Sequence, residues 1–518
     1  MDNLKELVYI VNRNKVKRID MLDLSTSSPS KVNQLYQGIS SGEIDTDVAA
    51  FQVLFPTAKS KSAYRNLKVV LRDKLLNTLF FIDAYQSGYS DRQTAFYEAY
   101  KDFAAAQMLL AKNARKAGIQ LLERLLKKVD HFEFLELSLA INRLLRLHYG
   151  TRLGDEKKYH LYNDKWTDCH QLSELENKAE QYYSELVLHY VNNKSTKAEL
   201  QTQAKKYYQT LATDIPHSAS YKFRFYTTLV QLFQYTCTNN YPAAIPICKE
   251  AIRFFEEKPF AANTPIQICL HHQLVAYMQL RDFEKGAKIA RQSQKLIEEG
   301  SFNWFKNFEY LFLLAMHTAN YQQAYEVLQE AVHHKRYKFL PDQIQEMWQL
   351  YEAYVHLLIE FGEILPSTNQ KKSSVFRIQR FLNNMPLYSK DKRGMNIAIF
   401  VVQILFYIQQ KKYDIAIDRM EAIEKYCSRY LFKEDTMRSY YFIKLLLCIP
   451  RAGFHSTAVE RYAKQPLKKL KNISSEMSNQ FHKIEIIPYE ILWDIAFGML
   501  DTKMIKLKKL KAFQLKTS

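Results

Sequence analysis

Apolar residues recur every three or four positions along almost the whole chain, and that spacing leaves little room for anything but helices. Across residues 61–82, Tyr64, Leu67, Leu71, Leu75 and Leu79 share one face, while Lys61, Arg65, Lys68 and Arg72 share another. Gln120–Val129, Ala287–Ile297 and Ala324–Ala331 follow the same rule. No run alternates with a period of two, and no Asn-Gly or Asp-Gly hairpin turn occurs, so almost no strand is expected. Glycine numbers only 12 in 518 residues, which argues against folds built on tight turns or phosphate-cradling loops.

The helical pattern repeats at a coarser scale. An aromatic followed three or four places later by Ala occurs at Tyr241 and Ala244, Phe283 and Ala287, Tyr321 and Ala324, Tyr413 and Ala416, and Phe454 and Ala458. Each pair is placed at the start of the second helix of a hairpin. Two antiparallel helices approach closely only where a small side chain faces the partner, and the aromatic closes that end of the pair. One hairpin cannot bury its apolar face alone, so hairpins must stack.

Gln273–Leu296 (QLVAYMQLRDFEKGAKIARQSQKL) and Phe312–Val332 (FLLAMHTANYQQAYEVLQEAV) resemble tetratricopeptide-type repeats, and the resemblance extends loosely over residues 90–465. It implies a helical-hairpin superhelix with a partner-binding groove rather than a reaction. The expected fold is all-α, a right-handed α-solenoid of antiparallel helix hairpins with an N-terminal helical block. Its parts are expected at 1–83 (N-terminal block), 84–366 (repeats), 367–394 (a basic irregular segment), 395–500 (C-terminal repeats) and 501–518 (a basic tail). In the first part, Leu4–Leu24 reads as one helix, and the apolar end of the helix over 62–82 is expected to be buried.

Enzymatic chemistry finds little support. Gly38-Ile39-Ser40-Ser41-Gly42 matches the nucleophile-elbow string, but the elbow needs a strand before it and none is expected, so the segment reads as an interhelical loop. His271-His272 beside Cys269, His333-His334 and Cys169-His170 are adjacent pairs, and adjacent side chains on a helix point about 100° apart, which suits no shared ion. No catalytic residue, metal or cofactor is expected. Met1 is followed by Asp2, Lys5 and Glu6 rather than an apolar leader. Six scattered cysteines form no disulfide framework. Both features point to the cytoplasm, and no stretch is long and apolar enough to span a bilayer.

Charge is the remaining signal. Lys and Arg number 73 against 54 Asp and Glu, a net +19. The cations gather in the stripe Lys61, Arg65, Lys68 and Arg72, in the segment holding Lys371, Lys372, Arg377, Arg380, Lys392 and Arg393, and in the tail from Lys503 to Lys516. Such density suits a polyanion. Thr46–Phe55 and Ser62–Leu76 could form a helix-turn-helix with Arg65 and Lys68 facing DNA, but a capping bundle fits the long turn better. The leading expectation is a non-enzymatic scaffold that binds a protein or peptide partner through a groove lined by Tyr277, Asn303, Asn307 and Tyr310. The alternative is a nucleic-acid-binding regulator in which the solenoid senses a partner.

Overall fold

The computed structural model describes residues 1–13, 30–56, 61–81, 91–192, 196–218, 220–365, 378, 381, 395–430, 437–473 and 485–500. Of these, 82% are helical, in 21 α-helices with no strand among them. The all-α solenoid class expected from the periodicity is therefore the fold. The chain divides into two compact units. Met1–Glu174 with Lys258–Ala262 forms the first, and Leu175–Glu257 with Asn263–Ser518 the second.

In the first unit, α1 (Asp2–Arg13), α2 (Lys31–Ser41), α3 (Asp47–Leu54) and α4 (Ser62–Leu79) enclose a small core of Leu4, Val8, Leu35, Leu54, Leu71 and Leu75. Asp47 ties the block together. Its carboxylate accepts from the Met1 ammonium at 3.2 Å, from Tyr64 Oη at 2.7 Å and from Lys68 Nζ at 2.7 Å. Residues 14–29 lie outside the described residues, so the single helix expected to Leu24 is seen as far as Arg13. At the end of α4, Leu75 is buried but Leu76 and Phe80 face solvent, contrary to expectation. Only one stripe of that helix can meet the core, and Leu76 and Phe80 lie off it.

Next come α5 (Asp91–Ala111), α6 (Arg115–His131) and α7 (Leu135–His148), packed through Ala95, Ala99, Ala106, Leu122, Leu126, Ile141 and Leu145. The alanines let α5 and α6 approach closely. A π-helical turn, Tyr149–Leu153, leads into the long α8 (Glu156–Val191).

The second unit continues with α9 (Lys197–Ala212), α10 (Tyr221–Thr236), α11 (Ile245–Glu256), α12 (Asn263–Gln279), α13 (Phe283–Gln294), α14 (Phe302–His317), α15 (Tyr321–Val332) and α16 (Asp342–Phe361). After residues 366–394 come α17 (Met395–Gln409), α18 (Tyr413–Tyr430), α19 (Met437–Arg451), α20 (Ser456–Lys471) and α21 (Tyr489–Gly498). Helices adjacent in sequence pack as pairs. α8, α9 and α10 enclose a core around Ala179, Ala204, Phe223 and Val230, and the pairs from α12 onward share a larger one in which Trp348, Tyr351, Tyr354, Phe312, Phe406 and Phe442 are fully enclosed.

One turn recurs throughout both units. Two residues after the end of α5, α6, α12, α14 and α17 stands a residue in the left-handed region: Asn113, Glu133, Arg281, Ala319 and Lys411. Asn239 does the same after α10 and its capping Cys237. The next amide then donates to the carbonyl five residues back, as in Asp282 to Tyr277 at 3.0 Å and Lys412 to Tyr407 at 2.9 Å. These bonds satisfy carbonyls that the helix end leaves orphaned. Phe283, Tyr321 and Tyr413 then open the following helix as expected, and Ala244, Ala287, Ala324 and Ala416 are buried against the partner. The fifth unit is shifted. Phe454 precedes α20 with a φ of 62°, and Val459 rather than Ala458 occupies the buried place.

Candidate functional site

The first helix of each hairpin in the second unit is enclosed on most sides. Along α14, Trp304, Phe305, Asn307, Phe308, Glu309 and Leu311–His317 are all buried, which leaves Phe302, Asn303, Lys306 and Tyr310 toward solvent. On α12 the corresponding residues are Thr264, Gln267, Ile268, His271 and His272, and on α16 they include Gln349, Glu352, His356 and Glu360. Spacings of three and four keep each set on one stripe.

The stripes meet edge to edge. The His271 ring stands perpendicular to Tyr310 with centroids 4.8 Å apart. His272 stacks on Tyr241 at 5.9 Å. Lys306 lies over the Tyr310 ring at 4.9 Å and pairs with Glu309 at 2.5 Å. Glu309 in turn accepts from Tyr351 Oη at 3.3 Å. Tyr241, His272, His271, Tyr310 and Lys306 thus form a continuous row across two first helices and the turn before α11. Burial pushes the His272 imidazole down to about 4. Crowding also holds His271 well below the ordinary value, with His272 and the Lys306 ammonium adding to the effect. Burial raises the Tyr310 phenol, with Glu309 contributing. At neutral pH the row therefore offers uncharged imidazole and phenol groups as hydrogen-bonding partners beside aromatic faces.

Of the groove residues expected from sequence, Tyr310 is on this row, and Asn303 is exposed on the same stripe of α14. Tyr277 and Asn307 are on neither. Both are buried, and Asn307 Nδ2 donates to the Ala290 carbonyl at 3.0 Å, so they serve packing between helices. His271 and His272, set aside as metal ligands, belong to the row; their adjacency hid the fact that each faces a different aromatic.

The basic stripe on α4 is partly neutralised. Lys68 pairs with Asp47 and Arg72 with Asp73 at 2.9 Å, Lys61 lies 5.9 Å from the Phe51 ring centre, and Arg65 is exposed. Lys371, Lys372, Arg377, Arg380, Lys392, Arg393 and the tail lie outside the described residues. The Gly38–Gly42 string is not a loop but the last turn of α2, where Gly42 is the left-handed cap with a φ of 82° and Gly38 lies against Ile44. Among the described residues no three His, Cys, Asp or Glu side chains are grouped to hold a metal ion, and no helix is long and apolar enough to cross a membrane. Comparison of the chain with protein-family models, with curated proteins and with solved structures finds no match.

Proposed function

We propose that the protein is a non-enzymatic interaction module that binds a polypeptide segment along the first-helix row of its second unit. The contact between His271 and Tyr310 carries this reading. It joins the solvent-facing stripes of two neighbouring hairpins into one surface that runs across helices rather than along one. Aromatic faces and neutral hydrogen-bonding groups are what an extended chain needs for anchoring and orientation. The likeness of the hairpins to tetratricopeptide-type repeats supports the same side of the stack as the binding side.

The test is a peptide library selected by display on the full chain. The selected peptides are then titrated calorimetrically against wild type and against Asn303→Ala, His271→Ala and Tyr310→Ala. Loss of about tenfold or more in the last two, the scale of a modest hot spot, is expected. Lys288→Ala, on the exposed side of α13, should change nothing. Peptides that bind all three variants as tightly as wild type would sink the reading.

A further inference from the structure

The first unit carries a second surface that the linear sequence conceals. Lys112 stands in the α5–α6 turn, Arg115 and Lys116 open α6, Arg152 sits in the π-helical turn, and Lys157 and Lys158 lie in the first turn of α8. Short turns bring these three places to one end of the same helices. Lys158 Nζ reaches Tyr149 Oη at 2.9 Å, and the Tyr159 ring lies against Gly150, where a Cβ would stand 2.8 Å from Cδ2. Arg115, Arg152 and Lys158, from three separate elements, all act on the single imidazole of His148.

Two of the three acids at this end are engaged. Glu123 accepts from Tyr149 at 2.7 Å and Tyr162 at 3.2 Å and lies 3.6 Å from Lys158 Nζ, and Asp155 caps α8 by accepting from the Lys158 amide at 3.0 Å. Glu156 is exposed, with His160 3.8 Å away, and is outnumbered by the cations around it. Lys112, Arg115, Lys116 and Arg152 are exposed and form no ion pair with the described residues. The opposite end of α6 differs. There Lys128 pairs with Glu98, Lys165 with Asp130 at 3.4 Å, and Lys258 with Glu133 at 2.6 Å. The start of α6 also has no capping side chain and no acid in its first turn, where Arg and Lys oppose the helix dipole. Broken local rules and π-helical turns are both frequent at functional or strained places in proteins.

We infer that this end of the first unit binds the phosphate backbone of single-stranded nucleic acid. Cations spread over turns can follow a flexible backbone, whereas reading a duplex groove asks for one helix face. Tyr159, 37% exposed, and the neighbouring His160 offer ring surface for a base among the cations, which an acidic peptide would not need. This inference does not depend on the polypeptide-binding row, which lies in the other unit.

The experiment measures anisotropy of a labelled oligo-uridine and an oligo-thymidine with the full chain across a sodium chloride series. Arg115→Ala, Lys116→Ala and Arg152→Ala are combined in one variant. Its control combines Lys288→Ala, Arg291→Ala and Lys295→Ala, which removes equal charge from exposed positions on and just after α13. Helical content is checked by circular dichroism. The first variant should lose about tenfold or more at low salt and flatten the log–log salt slope by about two, and the control should keep both. Tyr159→Ala should weaken binding about fivefold or more without altering the slope. Equal losses in both triple variants, no loss in either, or binding to phosphatidylserine vesicles without binding to oligonucleotide would each overturn the inference.

Discussion

Arg438 and Glu485 face each other inside the second unit, with two bonds from the guanidinium to the carboxylate, at 2.7 and 3.0 Å. The same guanidinium reaches Glu490 at 2.8 Å and the carbonyls of Ile473 at 2.9 Å and Leu470 at 3.4 Å. It therefore caps the end of α20 while fixing the segment that leads into α21. Burial pushes Glu485 upward, and the arginine opposes that push. Breaking one side of a buried pair costs about 3–5 kcal/mol, because the remaining charge is stranded. Arg438→Met should lose that much in urea unfolding followed by circular dichroism. The double variant Arg438→Met with Glu485→Leu should lose clearly less. A double variant as damaged as the single would show that the carbonyl contacts, not the ion pair, dominate.

The recurrent left-handed turn makes a second prediction. A side chain at that conformation costs about 1–2 kcal/mol relative to glycine, offset in part by glycine's greater freedom when unfolded. Arg281→Gly and Lys411→Gly should each raise stability by roughly 0.5–1 kcal/mol. Gly362→Ala, at the matching cap of α16, should lower it by a similar amount. Thermal unfolding reads all three. No gain in either glycine variant would mean that those side chains make compensating contacts.

Much of this architecture was legible in the spacing of apolar residues, but the turns that join the helices were not. Chains usually mark such turns with glycine or asparagine; Asn113 and Asn239 fit that rule, but Glu133, Arg281, Ala319 and Lys411 have no turn signature of their own. The Phe454 unit shows the same limit. Its aromatic and alanine fit the pattern in sequence, yet the helix starts two residues later, at Ser456. Tyr277 and Asn307 were misplaced because α12 and α14 are wrapped by neighbours on most sides. Periodicity identifies a helix, but it cannot say which narrow stripe of an almost enclosed helix meets water. The cation cluster at Arg115, Arg152 and Lys158 was invisible because three elements supply it.

Close packing around Gly286 makes a third prediction. A Cβ there would stand 2.3 Å from Leu314 Cδ2, and Leu314 is fully buried. Gly286→Ala should destabilise by about 1–3 kcal/mol, the scale of overpacking. Adding Leu314→Ala should cost less in that background than in wild type, since the cavity it opens accepts the new methyl group. Additive losses in a double-mutant cycle would refute the contact.

The imidazole of His272 makes stability depend on pH in a stated direction. Its folded value is near 4, and an unfolded histidine titrates near 6.5. Between those limits the unfolded chain holds a proton that the folded one does not. Stability should therefore fall as pH drops from 6.5 toward 4, by at most about 1.4 kcal/mol per pH unit for this one group. His272→Gln should flatten that part of the profile relative to wild type. Identical profiles for the two proteins would refute the assignment.

The left-handed caps also define what can be exchanged. From Asp282 to Ala319 the chain runs from just after one cap through the next, carrying one second helix and the following first helix. Because the backbone geometry at Arg281 and Ala319 is alike, joining Arg281 directly to Asn320 would recreate the same junction with one length of the stack removed. The protein is in this sense written in interchangeable lengths, each bounded by a bend in the backbone rather than by a residue type. Shortening or lengthening by whole lengths should preserve folding, whereas a cut made inside a helix should not.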